Sequence, residues 1–170
     1  MVGTTIRSAE PSDTSLILSF IRELAEYERL AHEVVATEDA IRQTVFGDHP
    51  RAEVLIAEAE GHAASFALYF HNYSTFLARP GLFLEDLFVR PEFRRRGIAR
   101  ELLTRLAAIA VERQCGRFEW NVLDWNESAQ RFYEALGARP MSDWTTYRLT
   151  GAALQALAAR SDSRADRCGD

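Results

Sequence analysis

Apolar residues recur along this chain at two different periods, and the switches between them predict its elements. Residues 4–8 read as a short first strand. Beyond Glu10-Pro11-Ser12-Asp13, where a small polar residue can cap a helix, Leu16, Ile17, Phe20, Ile21 and Leu24 return at three-to-four spacing. That stripe predicts a helix to about residue 30 with one buried face. A second helix is expected over 37–46, stopped by Gly47-Asp48-His49-Pro50. Residues 54–59 and 63–70 are rich in strand formers and flank Glu60-Gly61-His62, a connection of hairpin type, so they should pair antiparallel. A loop is expected over 72–81. The run Leu82-Phe83-Leu84-Glu85-Asp86-Leu87-Phe88-Val89 is almost wholly apolar, as in a central strand covered on both faces. Helix resumes over 97–113 with Ile98, Leu102, Leu106 and Ile109 on one face, followed by a strand over 117–123, a short helix over 126–136 closed by Gly137, and a last strand over 144–149. A terminal helix over 152–159 and a frayed polar tail over 161–170 complete the chain. The order β-α-α-β-β-β-α-β-α-β predicts an α/β or α+β fold with a mixed sheet, and residues 1–160 form a single domain.

Composition narrows this little and excludes much. The chain has 170 residues, 47% hydrophobic, 26% charged and 11% aromatic, which suits one globular domain rather than a disordered or fibrous chain. No stretch of about 18 apolar residues predicts a membrane span, and the first ten residues carry no signal-peptide core, so the cytoplasm is the expected compartment. Cys115 and Cys168 are too few for a disulfide framework. His32, His49, His62 and His71 are scattered without ligand spacing, so no metal is expected.

The charge pattern changes the picture more. All 20 basic residues are arginine, and the net charge is −5, a poor balance for nucleic-acid binding. Yet Arg90, Arg94, Arg95, Arg96, Arg100 and Arg105 crowd one short segment, against only Glu92 and Glu101. Where the central strand turns into the amphipathic helix, small residues at 97 and 99 would let a ligand approach the backbone. The free N–H groups and positive dipole end of a first helical turn suit phosphate oxygens. The segment lacks the Lys-Ser/Thr of a nucleotide-hydrolysing loop and the three glycines of a dinucleotide fingerprint.

Arg94, Gly97 and Ala99 match the Arg/Gln-x-x-Gly-x-Gly/Ala pattern of motif A in the GCN5-related N-acetyltransferases, and the segment resembles that motif. Glu23-Leu24-Ala25-Glu26-Tyr27-Glu28, the strand from Leu84 to Val89, and Trp125-Asn126-Glu127 with Phe132-Tyr133 resemble the diamine (spermidine/spermine) branch of that superfamily. The similarity spans about residues 4–150.

The resemblance implies a mostly antiparallel sheet whose one parallel strand pair splays apart to admit acetyl-CoA. Its pantetheine arm would run along Leu87, Phe88 and Val89. Its pyrophosphate would lie on the turn of Arg95, Arg96, Gly97, Ile98, Ala99 and Arg100, and Arg94, with Asn126, Ser128 and Tyr133 of the short helix, would also contact the cofactor. Tyr133 would serve the departing thiolate, and Glu85 would help deprotonate the incoming ammonium. Tyr27 and Glu28 would join Glu85 at the substrate end. A homodimer is implied as well. Other readings of the same residues stand beside these: Asn126 as a plain helix cap, Tyr133 as core packing beside Phe132, Tyr27 and Glu28 as an exposed helix end, and Asp86 as the partner of an arginine.

The 72–81 and 141–147 segments lack most of the acidic and Trp residues that the polyamine enzymes carry, with Asp143 and Trp144 offset in register. A small primary amine, among diamines, polyamines and basic amino-acid analogues, is therefore expected over a long polycation. The alternatives are a protein acetyltransferase acting on lysine side chains or N-termini, and a non-catalytic acyl-CoA-binding module.

Overall fold

The stripe on the first helix is the seam along which one layer of the core closes. A computed structural model describes residues 3–165, in two compact units that divide after Asn121. In the first unit, α1 (Thr14–Glu28) and α2 (Glu38–Phe46) lay Ile17, Leu18, Phe20, Ile41 and Val45 against Val54, Ile56, Phe66 and Phe88 of the sheet. Leu16, Ile21 and Leu24 pack at the margin of that cluster. Phe20 and Phe66 stack at 5.1 Å. Thr37 caps α2 by accepting a hydrogen bond from the Ala40 amide, the role its hydroxyl and position predict.

Five strands, β1 (Thr5–Ser8), β2 (Glu53–Ala59), β3 (His62–Ser74), β4 (Arg79–Val89) and β5 (Phe118–Trp120), lie in sequence order. The first three joins are antiparallel, and β4 pairs with β5 in parallel. The parallel join needs a crossover, which α3 (Ile98–Glu112) supplies, burying Ile98, Leu102, Leu103, Leu106 and Ile109. Between β2 and β3, Glu60 and Gly61 both take positive φ (56° and 76°), the two-residue turn whose twist matches the strands it joins.

The loop expected over 72–81 is a hairpin. β3 runs on to Ser74 and β4 begins at Arg79, with Asn72 opposite Gly81. The ladder outlasts the apolar pattern there because pairing needs backbone groups only, so Tyr73, Phe76 and Leu77 stand exposed at its tip.

In the second unit, α4 (Glu127–Glu134) is followed by α5 (Gly151–Ala165). Gly137, at φ 91°, ends α4 as predicted, and the Gly137 and Ala138 amides donate to the carbonyls of Glu134 and Tyr133. The strand expected over 144–149 is absent. Alternation makes a strand only where a second edge accepts its hydrogen bonds, and the described backbone of 138–150 forms no ladder. The terminal helix is longer than expected, reaching Ala165; the remainder of the expected tail, with Cys168, lies outside the described residues.

Candidate functional site

One surplus residue shapes the middle of β4. Leu68 faces Asp86 while Tyr69 faces Leu84, so Glu85 is the extra residue of a bulge. Pairing with β5 stops at the same place: Leu84 and Trp120 are the last partners, and among the described residues Glu85 to Val89 have no strand beside them on that edge. The Arg90 amide donates to the Ala64 carbonyl, so alternation turns the Phe88 backbone groups towards β3 and those of Leu87 and Val89 towards the uncovered edge. Ser65 Oγ, fully buried, donates to the Phe88 carbonyl at 2.6 Å and locks that side of the strand. The result is a strand with one satisfied edge and one edge of backbone groups facing outward, on which the Val89 carbonyl already accepts from Arg94.

That open edge leads into a turn with a further set of donors. Arg95 (φ 61°) and Gly97 (φ 88°) take left-handed backbone conformations and curl the chain into the start of α3. The Arg94 amide is used, donating to the Pro91 carbonyl, and so is the Glu101 amide, donating to Gly97. Between them, the six consecutive amides of residues 95–100 find no acceptor among the described residues. A β-carbon on Gly97 would meet nothing within 4 Å, so its surface is open to a ligand. Converging N–H groups at a helix start, with no side-chain cap, form a cradle for anionic oxygens.

The arginines of the cluster divide by task. Arg90 grips Glu23 on α1 with Nη2 and Nε at 2.7 and 2.9 Å, donates to the Ala63 carbonyl, and covers the Phe20 ring. Arg96 pairs with Glu60 of the β2–β3 turn at 2.8 Å and lies over Phe93. Arg94 turns back over β4: Nε donates to the Val89 carbonyl at 2.9 Å, and the guanidinium carbon lies 4.7 Å from the centre of the Tyr27 ring and 5.6 Å from that of Phe88. Arg95 and Arg100 are exposed and have no ion-pair partner among the described residues. They are the cations left to face an anion at the turn.

Glu28, at the end of α1, and Asp86, beyond the bulge, lie on the α1 side of the sheet. Asp86 shares a strand face with Phe88 and has no arginine partner among the described residues, so the ion pair expected for it is not formed. Its pKa is pushed up to about 6 by burial first, then by the charges of Glu85 and Glu28. Burial also raises that of Glu28. Glu85 is exposed at the bulge, and Tyr27 packs its ring at 6.5 Å from Phe88. A half-buried group of acids beside an aromatic ring suits a cationic amine.

In the second unit, Asn126 caps α4, its Oδ1 accepting from the Ala129 amide at 3.2 Å, so the plain capping role is filled. Ser128 is exposed in the first turn, and Tyr133 is half-buried with its ring 5.4 Å from that of Phe132. Sequence reasoning missed the Glu23–Arg90 pair and the course of Arg94. The signal for the first was present: Glu23 sits one helical turn before Tyr27, within reach of an arginine placed just after the central strand.

Residues 18–138 match the acetyltransferase (GNAT) family. The chain belongs to that family. Within it, the chain is 37% identical to thialysine N-epsilon-acetyltransferase of Mus musculus over 171 residues, covering 94% of this chain and 100% of the relative. It is 35% identical to L-ornithine N5-acetyltransferase NATA1 of Arabidopsis thaliana, covering 89% and 86% of the two chains. Among solved structures, an integron cassette protein from the mobile metagenome of V. cholerae superposes with a TM-score of 0.77 at 28% identity, covering 93% of this chain and 98% of that one. The GNAT fold thus agrees with the sheet described above, and the open β4 edge and the amide-lined turn fall inside the matched segment.

Proposed function

We propose that this GNAT protein transfers acetyl from acetyl-CoA to a primary amine of a small molecule, and that the amine is the side-chain amine of a basic amino acid or its analogue. The observation that carries this reading is near full-length likeness to two acetyltransferases, one named for thialysine and the other for ornithine. Both names describe acceptors with one primary amine at the end of a short chain that also bears an α-amino acid. The family match crosses the division between the two units, which supports reading residues 1–160 as one working domain.

The donor site fits the residues present. Acetyl-CoA supplies an acyl group already activated as a thioester. Amides 95–100, assisted by Arg95 and Arg100, would hold its pyrophosphate, so the turn from Arg95 through Gly97, Ile98 and Ala99 is the phosphate end of the site. Backbone groups of Leu87 and Val89, held in line by the Phe88 pairing to β3, would carry the pantetheine amides along the open edge. The Leu87 N–H would stabilise charge developing on the acetyl oxygen. Asn126 and Ser128 would contribute cofactor contacts from α4.

At the acceptor end, Tyr27, Glu28 and Glu85 would hold the ammonium group, and Glu85 would take its proton, directly or through one water. Tyr133 would give its phenolic proton to the departing thiolate. Transfer is direct, from thioester to amine in a ternary complex. By resemblance we also read the protein as a cytoplasmic homodimer.

A thiol-release assay tests this reading, run with acetyl-CoA against lysine, thialysine, ornithine, diamines, polyamines, an aminoglycoside and a lysine peptide. Thiol release with the basic amino acids and little with the peptide is the expected result. Preference for the peptide would make it a protein acetyltransferase. Silence throughout, with CoA binding confirmed by thermal shift, would leave a non-catalytic acyl-CoA-binding module.

A further inference from the structure

Arg94 occupies the position in motif A from which a cationic side chain would be expected to serve a phosphate, yet its guanidinium is directed elsewhere. Its backbone enters the anion turn in an extended conformation (φ −67°, ψ 160°), while its side chain doubles back along β4. Nε is spent on the Val89 carbonyl, and the guanidinium plane spreads over Phe88 and Tyr27. Phe88 is buried and Arg94 itself is half-buried, so the arrangement is enclosed enough for a cation over a ring to count. Arg94 and Phe88 thus both meet Tyr27, joining the end of β4 and the turn after it to the last turn of α1. Arg90, the neighbouring tie, reaches Glu23, one turn earlier, and passes over Phe20.

From this geometry we infer that Arg94 is a positioning residue for the acceptor amine, acting through Tyr27. The inference rests on the acetyltransferase reading above and adds a residue to its acceptor end. Tyr27 is 40% exposed at a helix terminus, where Arg29 already takes a left-handed conformation (φ 62°) to end α1. A ring at such a terminus needs an anchor. Phe88 supports it at a tilt of 54°, and Arg94 lies over it, so these two take part of the aromatic face that an ammonium group would otherwise meet. The cation over the ring also opposes a second cation stacking there. A cationic acceptor is thereby directed towards the carboxylates of Glu28 and Asp86 instead of the face of Tyr27.

The test is a double-mutant cycle read in steady-state kinetics and in acetyl-CoA binding, using Arg94→Gln, Arg94→Lys, Tyr27→Leu and the Arg94→Gln/Tyr27→Leu pair. Removing a semi-buried cation over a ring should raise acceptor KM by about threefold to thirtyfold. The acetyl-CoA dissociation constant should stay within about twofold, well short of the tenfold that losing one charge-assisted phosphate bond would give. Arg94→Lys, which keeps the cation, should recover part of the acceptor KM. The double variant should be no worse than Tyr27→Leu alone. Thermal melting confirms that each variant folds, and the lysine variant serves if the glutamine variant does not.

An acetyl-CoA affinity that falls as far as the acceptor KM rises would overturn the inference and make Arg94 a phosphate ligand. Additive effects in the cycle would overturn it too, as would an acceptor KM indifferent to Tyr27→Leu. Wild-type protein that releases no thiol with any amine would overturn both this inference and the acetyltransferase reading on which it rests. The kinetic outcomes, in contrast, reject Arg94's role alone.

Discussion

Arg90 and Glu23 meet in a two-point ion pair that joins the end of β4 to α1, 67 positions apart in the chain. The guanidinium holds the Glu23 carboxyl below its ordinary value of 4.5, burial opposes this, and Ser19 adds a hydrogen bond. A carboxyl with a lowered pKa contributes stability that is complete above the unfolded value and is lost as the pH falls through the folded one.

Glu23→Gln should therefore cost about 1.5–3 kcal/mol at pH 7, the range for a hydrogen bond to a charged partner. The gap between variant and wild type should narrow at pH 3. Urea denaturation at the two pH values measures it, and a gap of equal size at both would show that the charge contributes nothing.

Asp86 predicts the opposite sign. Its pKa is raised, so the folded state prefers the protonated form, and the cost of burying the charge grows as pH rises from about 4 to about 6. Asp86→Asn should be more stable than wild type at pH 8, by about 1–3 kcal/mol once solvent screening is allowed for. It should match wild type below pH 4. The same variant should bind the amine more weakly, because the charge that costs stability is the one a cation would meet. A variant less stable at pH 8 would mean that a partner compensates Asp86 in the folded protein.

Gly97 separates binding from folding. Its φ of 88° is strained for any side chain, at about 1–2 kcal/mol, but a β-carbon would touch no protein atom within 4 Å. Gly97→Ala should lower the melting temperature modestly and weaken acetyl-CoA about tenfold or more, because the methyl enters the space beside the free amides. Calorimetric titration alongside a melt distinguishes the two; unchanged affinity would move the phosphates off this turn.

Tyr133→Phe should lower turnover by about a hundredfold, within the range for loss of a general acid, and leave acetyl-CoA affinity nearly unchanged. Unchanged turnover would return Tyr133 to packing against Phe132.

The parts of the fold that the sequence made legible are those in which one element carries its own instructions. Ile17 and Phe20 mark the buried face of α1, Thr37 its neighbour's cap, and Gly137 the end of α4. The turn into α3 was legible for the same reason, since Gly97 and the helix start are local. What was lost depends on partners. Which carboxylate Arg90 or Arg96 finds is decided by the packing of α1 and the β2–β3 turn against β4, so the arginine expected beside Asp86 is not there. The pattern over 144–149 suggested a strand without saying which edge could receive it. Around Asn72 the reverse occurred: the ladder continued through residues with little apolar pattern to announce it.

The bulge at Glu85 has one more consequence. Leu84 and Leu87 share one side of β4, and Asp86 and Phe88 the other, so the strand reads as a regular alternation once Glu85 is skipped. Excising that residue would leave every core side chain in its place and straighten the strand. The scaffold would survive while the acid and the break in the strand disappeared together. In this region the difference between a plain strand and one that bears an exposed acid at its break is a matter of count, a single insertion that a folding core tolerates.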